Sequence, residues 1–326
     1  MMPETAKRLL ERVQYQKPQI NLSVPTLVRM WLVSGGAFLV VIQSSLGDAF
    51  ASLFVAISVL AAAVLTEYLF LYKSGRTAAI KDGSAVASAL ILTLLLPNQI
   101  SPLYAAAGAV FAIVVVKNGF GGLGSNWLNP ALGGWLFIRF SWPASFERAL
   151  ESSPLFIFPQ GGGISTGISA LGDTLYSGYL SLLVSPFPGI IADRGGWALL
   201  AAALLITVFR VNRFWIPLVY LAVFSFLVRF AAALPYEGQA WAGDVLFAIC
   251  TGGTLAAAFL LVCDPVTSAK SPAGMLLAAV AAGVLAFFFR YYAAEPYGAF
   301  FAVALVNTMI PLLRIFERRK LYEGYS

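Results

Sequence analysis

Apolar residues dominate the chain in runs at about 26–46, 50–72, 84–100, 102–117, 128–142, 196–209, 215–234, 243–262, 273–289 and 297–314. A full bilayer crossing takes about 20 such residues in a helix. Several runs, the third, fifth and sixth among them, fall short of that length. Those three predict half-helices, or helices completed by irregular backbone held inside the protein. The pattern as a whole predicts an all-α polytopic membrane protein with about ten transmembrane helices.

The order of the runs divides the chain. A polar N-terminal segment (1–25) precedes a first membrane repeat (26–142), a long outer-side loop (143–195), a second membrane repeat (196–314) and a basic tail (315–326). The loop is rich in Gly, Ser and Pro and too long for a simple connector. Its apolar clusters at Leu155-Phe156-Ile157-Phe158 and Leu180 to Val184 predict a loop that packs. The two membrane stretches share a pattern. Leu94-Leu95-Leu96-Pro97 turns to Ser101-Pro102, then an Ala-rich span leads to Asn126-Trp127-Leu128-Asn129-Pro130. Phe259 to Cys263 and Asp264-Pro265 turn to Ser271-Pro272, with an Ala-rich span before Asn307 and Pro311. The copies lie five spans apart, so the expected architecture is two inverted five-helix repeats, an arrangement that often meets around a midplane site.

Composition narrows the chemistry. Of 326 residues, 60% are hydrophobic and 11% charged, against about a quarter charged in soluble domains. The mean hydropathy is +0.82. The absence of histidine excludes a His-ligated haem, a His-based zinc site and a Ser-His-Asp triad from this chain. Cys250 and Cys263 would stand roughly 20 Å apart on one helix at about 1.5 Å per residue, too far to bond. Two thiolates do not hold an iron–sulfur cluster alone. Any redox centre is therefore organic or lent by a partner.

The net charge of +6 is topological. With the N-terminus in the cytoplasm, 16 of the 21 basic residues fall on the inner side and 5 on the outer (Arg139, Arg148, Arg194, Arg229, Arg290). That bias predicts both termini inside and leaves no role for nucleic acid. The first 25 residues are polar and basic without an apolar core, so no cleavable signal peptide is expected.

Four segments carry candidate chemistry. Asp82-Gly83-Ser84, read alone, is a helix cap followed by a close-packing run of small residues. The stretch Lys117-Asn118-Gly119-Phe120-Gly121-Gly122-Leu123-Gly124-Ser125-Asn126-Trp127-Leu128-Asn129-Pro130 joins a glycine loop and two carboxamides to a helix start. Such groups suit a polar heterocycle with alternating donors and acceptors, such as an isoalloxazine, while a capped turn is the plainer reading. Gly161 to Leu171 sets hydroxyls beside glycines in the outer loop, and Cys263 to Ser268 forms an acidic, hydroxyl-bearing turn. Glu67 and Arg229 lie inside apolar runs, where an ionisable group either functions, pairs or snorkels.

Together these segments resemble the NqrB/RnfD family, the membrane subunits of ion-pumping NADH:quinone and ferredoxin:NAD oxidoreductases. The resemblance rests on four stretches in order. They are Asp82-Gly83-Ser84 through Pro97, Phe120 through Ala131, Gly252-Gly253 through Ser268, and Asn307 with Pro311. It implies a urea-transporter-like fold of ten helices in inverted halves in the bacterial cytoplasmic (inner) membrane. It also implies FMN joined by a phosphoester to a hydroxyl in an outer-side motif. That motif falls on Thr166-Gly167-Ile168-Ser169, making Ser169 the acceptor and Thr166 the alternative acceptor. A second, non-covalent flavin such as riboflavin is carried onto Asn126 and Asn129, with Lys117 and Asp264 as neighbours. The implied function is a flavin-carrying, non-autonomous subunit of an electron-transport complex that couples electron transfer to ion translocation. Its implied partners are a flavin-bearing subunit facing the periplasm and iron–sulfur subunits. The alternative is a small-solute channel or carrier on the same fold without flavin.

Overall fold

The computed structural model describes residues 24–46, 50–74, 82–122, 125–151, 189–194, 196–208, 215–236, 239–264 and 266–323. The first membrane stretch forms α1 (Val24–Leu46), α2 (Ala51–Lys73), α3 (Ser84–Leu95), α4 (Pro102–Phe111) and α5 (Pro130–Ser141). A π-helical turn, Ala112–Asn118, continues α4. Then come α6 (Pro143–Glu151), α7 (Ile191–Arg194), α8 (Gly196–Val208), α9 (Trp215–Ala231) and α10 (Val245–Cys250). The chain ends with α11 (Thr254–Ala256) and its π-helical continuation Ala257–Leu261, α12 (Pro272–Tyr291) and α13 (Gly298–Glu323). Among the described residues there is no strand; an isolated antiparallel bridge pairs Pro97 with Ile190.

Helix starts follow local chemistry. α4, α5 and α12 each place proline in the first turn, where its missing N–H costs nothing. Asn129 accepts from the N–H groups of Ala131 and Leu132, Ser271 from Gly274 and Asp244 from Phe247, each relieving free amides at a helix start.

Ala51–Lys73, Pro272–Tyr291 and Gly298–Ile315 are long and apolar enough to cross a membrane, and shorter apolar helices accompany them. Large apolar side chains such as Phe54, Leu65, Leu218, Phe226 and Leu277 point outward. An outward face of this kind is stable in hydrocarbon and unstable in water, so the chain is a polytopic membrane protein. The core is built of tightly approached helices: α12 packs against α9 and α13, α2 against α3 and α4, and α1 against α8.

The third, fifth and sixth apolar runs do form short helices, α3, α5 and α8. Two expectations are corrected. The run at 243–262 is not one helix but α10 and α11, separated by Thr251, Gly252 and Gly253. Both glycines adopt left-handed backbone at φ 68, which cannot continue a right-handed helix. The segment 143–195 is not wholly loop. Phe146 of α6 is fully buried with its ring edge-on to Trp135 at 5.8 Å, and Ile191 N of α7 donates to Leu96 O at 2.9 Å. The clusters at 155–158 and 180–184 lie outside the described residues.

Candidate functional site

The bundle has two polar ends, set by α5. At its start, Asn129 Nδ2 donates to Asp264 Oδ2 (3.0 Å), tying the first membrane stretch to the turn before α12. Arg314 of α13 donates to Val266 O (2.8 Å) and Ser268 O (2.7 Å) of that same turn. Near the other end of α5, Arg139 pairs with Glu295 at 3.2 Å, five residues beyond Arg290 at the end of α12. Lys117 belongs to the Asn129 end, because its carbonyl accepts from Gly122 N in the loop that leads there.

At the Asn129 end the start of α3 is held by a chain of charges. Gly83, at φ 71, precedes Ser84. Asp82 Oδ1 accepts from Ser84 N (2.8 Å) and from Ser84 Oγ (2.5 Å). Lys117 Nζ donates to Ser84 Oγ (2.5 Å) and to Glu67 Oε1 (2.8 Å), with the Lys117 and Glu67 side chains 2% and 4% exposed. Asn118 Nδ2 reaches Glu67 Oε2 at 3.5 Å. A carboxylate at a helix N-terminus is favourable, while a cation there is not. Lys117 is tolerated because Glu67 and Asp82 flank it.

At the Arg139 end a related arrangement holds the break between α10 and α11. Gly253 precedes Thr254, and Gly253 N donates to both Asp193 oxygens (3.0 and 3.1 Å). Arg290 donates to Ala248 O (2.8 Å), Thr251 O (2.9 Å), Thr251 Oγ1 (2.6 Å) and Thr254 Oγ1 (3.2 Å). The guanidinium thus meets the carbonyls that end α10, and the carboxylate meets the amide that opens α11. Each charge opposes the partial charge of the helix end it touches. A Cβ on Gly253 would strike the Phe300 ring, so its glycine serves both backbone and packing.

The residues singled out in the sequence separate into groups. Asn129 and Asp264 are brought together, and Thr267 Oγ1 and Val266 N also donate to Asp264, each at 3.0 Å. Burial pushes this carboxyl up from its ordinary range, against the pull of those hydrogen bonds. Asn126 is buried, and its carboxamide nitrogen faces Lys117 O (3.1 Å) and Gly122 O (3.0 Å), closing the glycine loop on itself. Lys117 turns its ammonium toward Glu67 and Ser84 and spends it there. Glu67 is therefore paired, whereas Arg229 donates to Gly243 O at 3.1 Å. Asn307 is buried with its amide nitrogen unpartnered among the described residues. Thr166, Gly167 and Ser169 lie outside the described residues.

A flavin ring at the glycine loop would need free donors and acceptors. Asn126, Asn129, Asp264 and Lys117 direct theirs at protein partners. As folded, they do not fit a bound isoalloxazine unless those bonds are exchanged. Sequence reasoning missed Asp193, Arg290 and Thr254. Arg290 ends an apolar run, the same signal that marked Arg229 and Glu67, but its acceptors lie about 40 residues away and only folding assembles them.

Several known proteins are similar to this chain over most of its length. The D component of the Na(+)-translocating ferredoxin:NAD(+) oxidoreductase complex of Acetobacterium woodii is 28% identical over 255 residues, covering 74% of each chain. The D component of the proton-translocating ferredoxin:NAD(+) oxidoreductase complex of Clostridium ljungdahlii is 28% identical, covering 79% of this chain and 80% of its own. The D component of an ion-translocating oxidoreductase complex of Escherichia fergusonii is 30% identical, covering 75% and 79%. The model of the NQR2, RnfD, RnfE family matches residues 13–323, so both charged anchors, the glycine loop and the segment 143–195 fall inside it, and the chain belongs to that family.

Proposed function

We propose that this chain is the D-type membrane component of an ion-translocating ferredoxin:NAD oxidoreductase complex, carrying FMN on Ser169 and passing electrons between partner subunits. The observation that carries this reading is the family match through residues 13–323. Relatives named for Na⁺ and for proton translocation are equally similar, so the reading specifies coupling to an ion and not which one. FMN, when bound, supplies one- and two-electron chemistry that no side chain here offers. Ser169 Oγ would hold it through a phosphoester, with Thr166 as the alternative acceptor in the same motif. A second flavin at Asn126 and Asn129 would have to take over hydrogen bonds now made within the protein. Iron–sulfur clusters belong to partners in this reading, since the chain has no histidine and two cysteines.

The reading also places ten helices in two inverted halves in the bacterial inner membrane, with both termini in the cytoplasm. Gly83-Ser84 and Gly253-Thr254 support the repeat. Each opens a short helix, holds a carboxylate at its first amides, and offers its hydroxyl to a cation from a later helical element of the same half. In transporters, half-helix ends of this kind face the solute. Here Asp82, Asp193 and Arg290 already occupy them, which favours an electron-carrying scaffold over a solute carrier.

The test is a denaturing gel of the purified complex, made in cells that possess the flavin transferase, viewed under ultraviolet light. The wild-type chain is expected to fluoresce, Ser169→Ala to be dark, and the peptide spanning 161–171 to carry the added mass of an FMN moiety. A dark wild-type band overturns the covalent assignment. Fluorescence retained in Ser169→Ala moves the acceptor elsewhere.

A further inference from the structure

The two charged anchors differ at one joint. At the start of α3 the cation, hydroxyl and carboxylate form an unbroken chain: Lys117 Nζ donates to Ser84 Oγ, which donates to Asp82 Oδ1. At the start of α11 the chain is interrupted. Arg290 reaches Thr254 Oγ1 at 3.2 Å, but that hydroxyl turns to Ala248 O and Thr251 O, each at 3.0 Å, and not to Asp193. Asp193 is left with backbone donors: both oxygens share Gly253 N at 3.0 and 3.1 Å, with the Gly252 amide beside it. Among the described residues no cation stands within ion-pair distance of it. The charged and titratable groups facing it are Arg290 of α12, Cys250 of α10 and Tyr297 before α13. Asp244 and Glu295 act in turn on Cys250 and Tyr297, and Arg194 adjoins it in α7. α7 packs against α1, α3, α8 and α11. Of these, α1 alone carries an ionisable residue, Arg29. Arg29 lies 14 residues before Gln43, the position on α1 that meets Arg194 O, a distance of about 21 Å at about 1.5 Å per residue.

We propose that Asp193 is a proton-binding site, whose carboxyl takes up and releases one proton while Arg290 keeps its charge. The O–H bond forms on one carboxyl oxygen, and the other keeps the Gly253 N–H. The proton comes from water, because Asp193 is half-buried and retains contact with the outside. A carboxylate enclosed by protein without a cation of its own is costly, and protonation removes that cost. Asp193 lies in α7, between the apolar runs, and desolvation by the surrounding protein pushes its carboxyl up to about 7, against the pull of the two amides and Arg290. A metal cation would need several oxygen ligands. The carbonyls at the break, Ala248 O and Thr251 O, are already taken by Arg290 and the Thr254 hydroxyl. Charged, Asp193 opposes the positive start of α11; protonated, it loses that attraction, and the tie between α7 and α11 weakens. The site does not depend on flavin at Ser169.

The experiment uses the full chain in lipid nanodiscs, titrated from about pH 5 to about pH 9, above the ordinary aspartate value of about 3.9. Infrared difference spectra follow the carbonyl stretch of protonated carboxyl groups. The wild type is expected to lose such a band as pH rises, and the band should move when the chain is made with ¹³C-carboxyl aspartate. Asp193→Asn should lack a component of it that Asp264→Asn retains. Arg290→Gln, which removes the nearest positive charge, should raise the midpoint of that component. A wild type with no aspartate band in this range overturns the proposal, and that measurement needs no variant to fold. An unchanged spectrum in folded Asp193→Asn overturns it as well. Exchanging choline chloride for sodium chloride at equal concentration should leave the midpoint unmoved. A midpoint that moves with sodium assigns the carboxylate to a metal cation and refutes the proton.

Discussion

Replacing Lys117 by Met removes the ammonium that joins Glu67 to Ser84 and, through Ser84, to Asp82. Both members of the ion pair are almost wholly buried and stand 2.8 Å apart. Taking two ions out of water is costly, and their mutual attraction offsets that cost only while both are present. Lys117→Met leaves the Glu67 carboxylate buried with Asn118 as its remaining partner, at 3.5 Å. Losing one partner of a buried pair costs about 3–5 kcal/mol, whereas replacing both ions is close to neutral. At roughly 2 °C per kcal/mol for a large domain, the melting temperature of Lys117→Met should fall by roughly 6–10 °C. Adding Glu67→Gln should recover most of that loss. The assay is a double-mutant cycle on the purified protein, following thermal unfolding by tryptophan fluorescence. The reasoning is refuted if Lys117→Met costs less than about 1 kcal/mol. Additivity of the two substitutions within about 0.5 kcal/mol, as for residues that do not touch, refutes it equally.

At the opposite end, Arg290→Lys keeps the charge but loses the planar fork that reaches Ala248 O, Thr251 O and both threonine hydroxyls. Ala248 O and Thr251 O keep the Thr254 hydroxyl, 3.0 Å from each, so unfolding measurements should show a loss of about 1–3 kcal/mol in all, with Arg290→Met losing more than Arg290→Lys. Asp264 has its carboxyl raised by burial, so its contribution is fullest below the ordinary carboxylate value of about 3.9 and is lost as pH rises through the folded value. Asp264→Asn carries no such titration; its stability relative to the wild type should improve as pH rises above about 3.9, and a difference flat with pH would contradict the assignment.

The apolar runs themselves determined most of the helices. Hydropathy and length place α1, α2, α9, α12 and α13, and Pro after Ser or Asn marks the starts of α4, α5 and α12. The short third and fifth runs were legible as short helices because a run below bilayer length has no other way to satisfy its backbone. The sequence also settled what the chain lacks, since neither histidine chemistry nor a cluster can be built from absent ligands. The break in the run at 243–262 was hidden, because Gly252 and Gly253 match a tolerated packing glycine until their left-handed backbone is seen.

Tertiary structure alone decided the partners. Lys117 sits in the glycine-loop stretch by sequence, yet its ammonium serves Glu67, 50 residues away, and Ser84, 33 residues away. Asn129 was marked as a ligand and is also a helix cap joined to Asp264 across 135 residues. Periodicity reports which face a helix buries, because burial is a property of one residue in its medium. A hydrogen bond between distant residues is a property of a pair, and only the packing of whole helices brings such a pair within about 3 Å.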